Sequence, residues 1–267
     1  MAVSASFNWY NRPSICTILS TFARFLDNRM ATILNIETST DVCSVALTSE
    51  GQVLDHRENY DGQTHATLLS QYVKEMLDYV RSRELVLDAI AVSIGPGSYT
   101  GLRIGLSEAK GLAFGLQVPL IGVNTLELLT VSTMFNHFMD EDGDKLVYVP
   151  MIDARRMEVY TAAYLPTLET LLEPQAMILD EHSFEDLSRQ GYKLVLVGNG
   201  SDKAARVMDP DKVWHIQGIK PVAVDMMALA ERAWRTQEFI DVAYSTPLYL
   251  KEFQATKPKN PVLGGHE

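Results

Sequence analysis

The sequence predicts an α/β protein in two halves, with a hint that the second repeats the first. Short apolar runs with tight links open the chain and then alternate with helical segments. A glycine-rich strand-to-helix turn, Gly95-Pro96-Gly97-Ser98-Tyr99-Thr100-Gly101, sits within the first half. Two distant stretches also share a pattern: Ile36-Glu37 with a returning strand at Val45, and Ile152-Asp153 with one at Val159. A strand ending in Ile-acid, a short polar turn and a returning strand, met twice, hints at duplication.

Ala31 to Ile36 reads as the first strand, Cys43 to Leu47 as the second, and Val53 to Asn59 as the third after Glu50-Gly51. Links this short predict an antiparallel meander. Thr64 is placed to cap a helix from His65 to about Arg81. Its apolar stripe is Leu68, Leu69, Tyr72, Val73, Met76, Leu77 and Val80. Ala89 to Ile94 is a strand, and Ser98 is the N-cap candidate of the helix after the turn. Leu120 to Val123 and a helix from Thr125 to Phe138 complete this half; its helix-separated strands are expected to be parallel, with right-handed crossovers.

The acidic stretch Met139-Asp140-Glu141-Asp142-Gly143-Asp144 marks the boundary. Strands Leu146–Ile152, Glu158–Tyr164 and Leu194–Val197 follow, with helices near Ser183–Arg189 and Val222–Thr236 and an extended run at Leu248-Tyr249-Leu250. The limits read from the sequence are 1–29 for an N-terminal extension outside the core, 30–138 for the first half, 139–254 for a reduced second half, and 255–267 for a flexible Lys-, Pro- and Gly-rich tail.

The 267 residues carry a net charge of −11. That is a poor electrostatic match for nucleic acid, so in any nucleic-acid chemistry a partner is expected to supply the basic surface. No run approaches the 18 or more apolar residues of a membrane span. Two cysteines, Cys16 and Cys43, fit a reducing cytoplasm, and Cys43 reads as a small core residue.

The helix after the turn is unusual. Gly101, Gly105, Ala109 and Ala113 recur every fourth residue, and Ser107, Gly111 and Gly115 do so on another face. Four glycines cost a helix roughly 3–4 kcal/mol against alanine, which close packing must recover. Two bare stripes, well over a right angle apart, imply two close neighbours. Both are internal to the chain, or one is the chain's own sheet and the other a second chain.

These segments together closely resemble the TsaB (YeaZ) family. The matching residues are Ile36-Glu37-Thr38-Ser39-Thr40 with Cys43-Ser44-Val45-Ala46-Leu47, the run Gly95 to Gly105, Gly111-Leu112-Ala113, Ile121 to Leu126, Ile152-Asp153-Ala154-Arg155-Arg156 with Glu158-Val159-Tyr160, and Pro247-Leu248-Tyr249-Leu250. The resemblance covers about Met30 to Lys251. It implies the actin-like, sugar-kinase-like and Hsp70-like (ASKHA) fold, with two ribonuclease-H-like halves. It also implies a role in making threonylcarbamoyladenosine next to the anticodon of tRNA. In that pathway a TsaD-type subunit carries the chemistry, a small TsaE-type ATPase joins it, and the TsaB-like subunit binds TsaD.

No catalytic residue is expected in this chain. No two of its six histidines lie three or four residues apart, so no helix offers a two-histidine metal face and no metal is expected. This also argues against a metallopeptidase. The hairpin Thr38-Ser39-Thr40 is the candidate for a degenerate phosphate site. Compared with the Asp-x-Gly-Thr hairpin of actin-like ATPases, it carries Glu37 for Asp and Ser39 for Gly, and a side chain there impedes backbone approach to phosphate. The competing reading is a polar β-turn. No tightly bound cofactor is expected, and nucleotide only at a partner interface. An independent nucleotide-dependent enzyme is the alternative from another class.

Arg103 is a candidate partner for Glu37, and Arg155 and Arg156 are placed to pair internally or stay solvated, or to meet a partner or tRNA phosphate. The expected interface is formed by Leu68, Leu69, Tyr72, Val73 and Met76 with Leu102, Gly105, Leu106 and Ala109. It would make a four-helix packing with TsaD or, in its absence, a symmetric homodimer. The tRNA is expected to be reached only through the complex.

Overall fold

The structure is a computed structural model describing residues 31–62, 64–137 and 145–251. The expected extension, the acidic break and the tail lie outside the described residues. The first half runs β1 (Ile33–Glu37), β2 (Cys43–Ser49), β3 (Gln52–Asn59), α1 (His65–Ser82), β4 (Ala89–Gly95), α2 (Tyr99–Leu116), β5 (Leu120–Asn124) and α3 (Thr125–Asn136). The second runs β6 (Lys145–Asp153), β7 (Glu158–Tyr164), β8 (Thr170–Ile178), α4 (Glu185–Arg189), β9 (Tyr192–Val197), α5 (Ser201–Ala205) and β10 (Val213–His215), then α6 (Met227–Thr236).

The two sheets have the same topology. Their orders are β3-β2-β1-β4-β5 and β8-β7-β6-β9-β10. In each, the first three strands form an antiparallel meander and the last two join in parallel. This is the α/β class the sequence predicts, and the repeated topology fits the duplication it hints at. Side-chain alternation on β1 feeds two cores. Leu34 and Ile36 pack with Leu69, Met76, Leu106 and Ala109 of α1 and α2. Ile33 packs on the other side with Leu128 of α3 and Ala230 of α6.

Helix α3 joins the halves. Leu128 and Val131 belong to the first-half core, while Leu126 and Leu129 pack with Ile152, Ala162 and Tyr164. Asn124 caps it, Oδ1 accepting from the N–H of Leu126 at 2.8 Å. Thr130 and Thr133, fully buried, donate their hydroxyls to the carbonyls of Leu126 and Leu129, so the helix tolerates polar side chains on a buried face.

Several expectations need correction. The second sheet has all five strands; only its helices are reduced, α4 and α5 having five residues each against eighteen in α1 and α2. The unpredicted β8 is a half-exposed edge strand that contains Pro174, tolerable only at such an edge. The unpredicted β10 has three residues, too few to show a period. Thr64 does not cap α1 through its side chain; its hydroxyl donates to Asn59 Oδ1 at 2.9 Å.

The extended run Leu248–Leu250 is the end of a strap from Ile240 to Lys251. The strap is pinned where Ile240 N–H donates to Leu120 O and Leu248 N–H to Ile94 O. No described helix is long and apolar enough to cross a membrane.

Candidate functional site

The β1–β2 hairpin is where an actin-like fold would cradle phosphate. Here Thr38 and Ser39 are fully buried and Thr40 is 9% exposed. Their backbone groups are engaged within the chain. Thr38 N–H donates to Ser93 Oγ, Ser39 N–H to a Glu37 carboxylate oxygen, and Ser98 N–H to Ser39 O at 2.6 Å. The Thr38 hydroxyl donates to Gly101 O at 2.9 Å.

Three glycines make the closure possible. A Cβ at Gly97 would overlap Ser39 O, one at Gly101 would overlap Thr38 O, and one at Gly105 would overlap Thr38 Oγ1. The N-terminal half of α2 therefore fills the concavity, and Thr38, Ser39 and Thr40 present no open cradle in this conformation. The polar-turn reading of the hairpin is the one the geometry supports.

Glu37 sits at the base of this lock, wholly buried. Burial pushes its carboxyl up to about 7, against the lowering effect of hydrogen bonds from Ser39. Cys43 beside it is free and buried, its thiol pushed up to about 11 by burial and the Glu37 charge. Arg103 is not the partner of Glu37. It is exposed, donates its Nε to Tyr249 OH at 3.0 Å, and lies 4.2 Å from the centroid of the Tyr99 ring. Ser98 caps α2 as predicted, Oγ accepting from Gly101 N–H at 3.2 Å.

The residues expected at the interface fall mostly inside. Leu69, Val73, Met76, Leu102, Gly105, Leu106 and Ala109 are buried in the chain's own packing, with at most 4% exposure among the six with side chains. Leu68 and Tyr72 are half-buried, and Tyr72 packs against the same core. The physical reason is that an apolar stripe on a helix is claimed first by its own sheet.

The second small-residue stripe behaves differently. Ser107, Gly111 and Gly115 are exposed, and a Cβ at Gly111 or Gly115 would meet nothing within 4 Å. On one side of this bare floor stands α1, where Ser70 Oγ donates to Glu108 at 3.1 Å. On the other runs the strap, where Lys110 Nζ donates to Ala243 O and Ser245 O at 3.0 and 2.6 Å. Phe114, 80% exposed, and Leu116, 45% exposed, close the far end. Glycine spacing pointed to this stripe; the apolar residues beside it escaped a reading centred on the buried face.

The strap continues to the second half, where Lys251 Nζ meets Glu158 of β7 at 2.6 Å. Arg155 and Arg156, on the β6–β7 turn, are exposed and have no side-chain bond or ion pair among the described residues. Internal pairing of either side chain is not found among the described residues. Across the halves, Lys220 also pairs with Asp41 at 2.6 Å.

Residues 59–252 match the family model described as TsaD, tRNA N6-adenosine threonylcarbamoyltransferase. The tRNA threonylcarbamoyladenosine biosynthesis protein TsaB of Escherichia coli (strain K12) is 31% identical over 235 residues, 84% of this chain and 96% of that protein. The protein of the same name from Bacillus subtilis (strain 168) is 38% identical over 133 residues, 50% of this chain and 55% of that protein. The solved structure of YeaZ from Pseudomonas aeruginosa gives a TM-score of 0.65 at 28% identity, covering 83% of this chain and 100% of that one. The TsaD-type model and the TsaB relatives meet on one fold, and the nearly complete span of the E. coli protein decides between them: the chain belongs to the TsaB (YeaZ) family.

Proposed function

We propose that this chain is the non-catalytic subunit required for threonylcarbamoyl transfer to tRNA adenosine next to the anticodon, and that it binds and positions a TsaD-type catalytic subunit. The observation that carries the docking role is the outer face of α2. Two exposed glycines in mid-helix and at its end forgo about 1 kcal/mol each against alanine, and nothing among the described residues packs on them to recover it. A partner helix laid along Ser107, Gly111 and Gly115, between α1 and the strap, supplies that packing. The corrected docking residues are therefore Ser107, Gly111, Phe114 and Gly115, with Ser70 and Lys74 of α1 on the rim.

The same face is self-complementary in principle and pairs two copies when the partner is absent. A TsaE-type ATPase joins the assembly, which works in the cytoplasm. The closed hairpin supports the reading that the isolated chain holds no nucleotide of its own and that any nucleotide sits at the partner interface. Co-purification with the TsaD-type protein of the same organism tests the role. Stoichiometric capture, with no ATP hydrolysis by the isolated chain above a blank, is expected. ATP turnover by the isolated chain that is abolished by Glu37→Gln would overturn the reading in favour of an independent enzyme.

A further inference from the structure

We propose, on the reading of this chain as a subunit of a tRNA-modifying assembly, that the meeting point of the strap, the first turn of α2 and the β6–β7 turn binds a single-stranded loop of the tRNA directly. The expectation that a partner supplies all the basic surface came from a net charge of −11. That average hides a local reversal. Arg103 from α2, Lys251 from the strap and Arg155 and Arg156 from the β6–β7 turn stand on one connected surface. Its links are Arg103 to Tyr249 OH, Tyr249 to Lys251 along the strap, Lys251 to Glu158, and Glu158 N–H to Arg155 O at 3.1 Å.

The aromatic part is already ordered. The Tyr99 and Tyr249 rings lie 5.3 Å apart at 33°, and the Arg103 guanidinium sits over Tyr99. Tyr249 is 42% exposed. Exposed tyrosine faces next to arginine are what unstacked bases use in single-stranded RNA, with neighbouring cations taking the phosphates. The cationic part is held against backbone preference. Arg155 and Arg156 adopt φ of 73° and 50°, the left-handed region where glycine or asparagine fits a hairpin turn without strain. Two consecutive arginines there, both exposed and unpaired among the described residues, serve the fold less well than glycine would, which points to a use for their charge. The surface is also distinct from the bare floor of α2, which begins at Ser107, one turn past Arg103.

The test uses the full chain, alone and co-purified with the TsaD-type subunit, and a fluorescent unmodified tRNA anticodon stem–loop as probe, titrated by anisotropy between 50 and 200 mM salt. The key variant is Arg155→Gly with Arg156→Gly, because glycine suits both positive φ angles and folding is retained; Tyr249→Leu is the second. The double variant is expected to bind the stem–loop about tenfold more weakly, with the slope of log affinity against log salt shallower by about 1.4, the value for two single-strand phosphates. Tyr249→Leu is expected to weaken binding about fivefold or more, with the slope unchanged. Partner capture is expected to be unaltered in both.

Wild-type affinity and slope in both variants would overturn the proposal, as would the absence of stem–loop binding by both the chain and the complex. Loss of partner capture in step with RNA binding would also overturn it, by making this a protein interface. If the wild-type chain captures no TsaD-type subunit, the subunit reading fails by itself, and the titration of the isolated chain still decides the RNA contact.

Discussion

The two glycine stripes of α2 allow an experiment in which one helix gives opposite answers at two positions. In Gly105→Ala the new Cβ falls within contact of Thr38 Oγ1, whose hydrogen bond to Gly101 O has no room to adjust under the helix. Overpacking costs about 1–3 kcal/mol. Disrupting the buried hydroxyl's bond adds about 1–3 kcal/mol, and the gain in helix propensity returns about 1 kcal/mol. A net loss near 3 kcal/mol lowers Tm by about 6–12 °C in a protein of this size. In Gly111→Ala the Cβ enters open space, so only propensity acts, and Tm rises by about 2–4 °C. Gly111→Leu is then expected to leave the monomer folded but to lift a partner helix off the stripe, abolishing capture of the TsaD-type subunit and self-association. The assays are thermal denaturation of all three variants, pull-down and sedimentation. Equal destabilisation at 105 and 111 would refute the assignment of faces, and wild-type capture by a folded Gly111→Leu would refute docking on this stripe.

Further expectations concern the lock and the limits of the fold. Glu37, with its carboxyl raised from 4.5 to about 7 in the folded state, favours folding relative to the ionised form at low pH. Its contribution is fully present below about pH 4.5 and is lost as pH rises to about 7, a change of about 3 kcal/mol. Urea melts at pH 5 and pH 8 should therefore show wild type losing stability across this window, and Glu37→Gln should flatten the profile; parallel profiles would contradict the burial argument. Ser98→Ala removes the acceptor of the Gly101 N–H and is expected to cost about 1 kcal/mol, read by the same melts. A chain beginning at Met30 is expected to melt within a few degrees of the full chain, since the pairing of both sheets is satisfied by residues within 33–215; a large fall in Tm would show that residues 1–29 pack on the core.

Legibility in the sequence followed the strength of the local signal. Helix α1 and strands β1, β4 and β9 were readable because their apolar residues keep one period over enough residues to exclude others. β10 is too short for that, and β8 mixes Glu173 and Pro174 into a half-exposed edge. At the site, the glycine spacing separates two stripes, of which the structure fills one, Gly101 and Gly105 against Thr38; the apolar positions beside Gly105 read equally well as a partner face. Apolarity marks burial without naming the surface that buries it; Leu106 and Ala109 answer to the first-half core. The Tyr99–Arg103–Tyr249 cluster could not be found from spacing, since it joins residues 146 apart through the strap.

The hairpin lock and the bare outer stripe are two consequences of one helix sequence. A phosphate cradle requires backbone amides that are free and a space in front of them. Gly97, Gly101 and Gly105 remove the side chains that would keep α2 away from Thr38 and Ser39, and the amides are then used within the chain. Glu37, in the position where a carboxylate would face solvent and metal, is instead desolvated under the same helix. The inner glycines recover their conformational cost through this contact. Gly111 and Gly115 have no such contact among the described residues, which leave their cost unrecovered. A helix that has filled its own ligand site and still carries bare backbone on its outer side is better suited to receiving another helix than to chemistry. Reopening the hairpin would require moving α2, which also carries the outer stripe, so on the proposed docking role ligand access and partner binding would depend on the same helix.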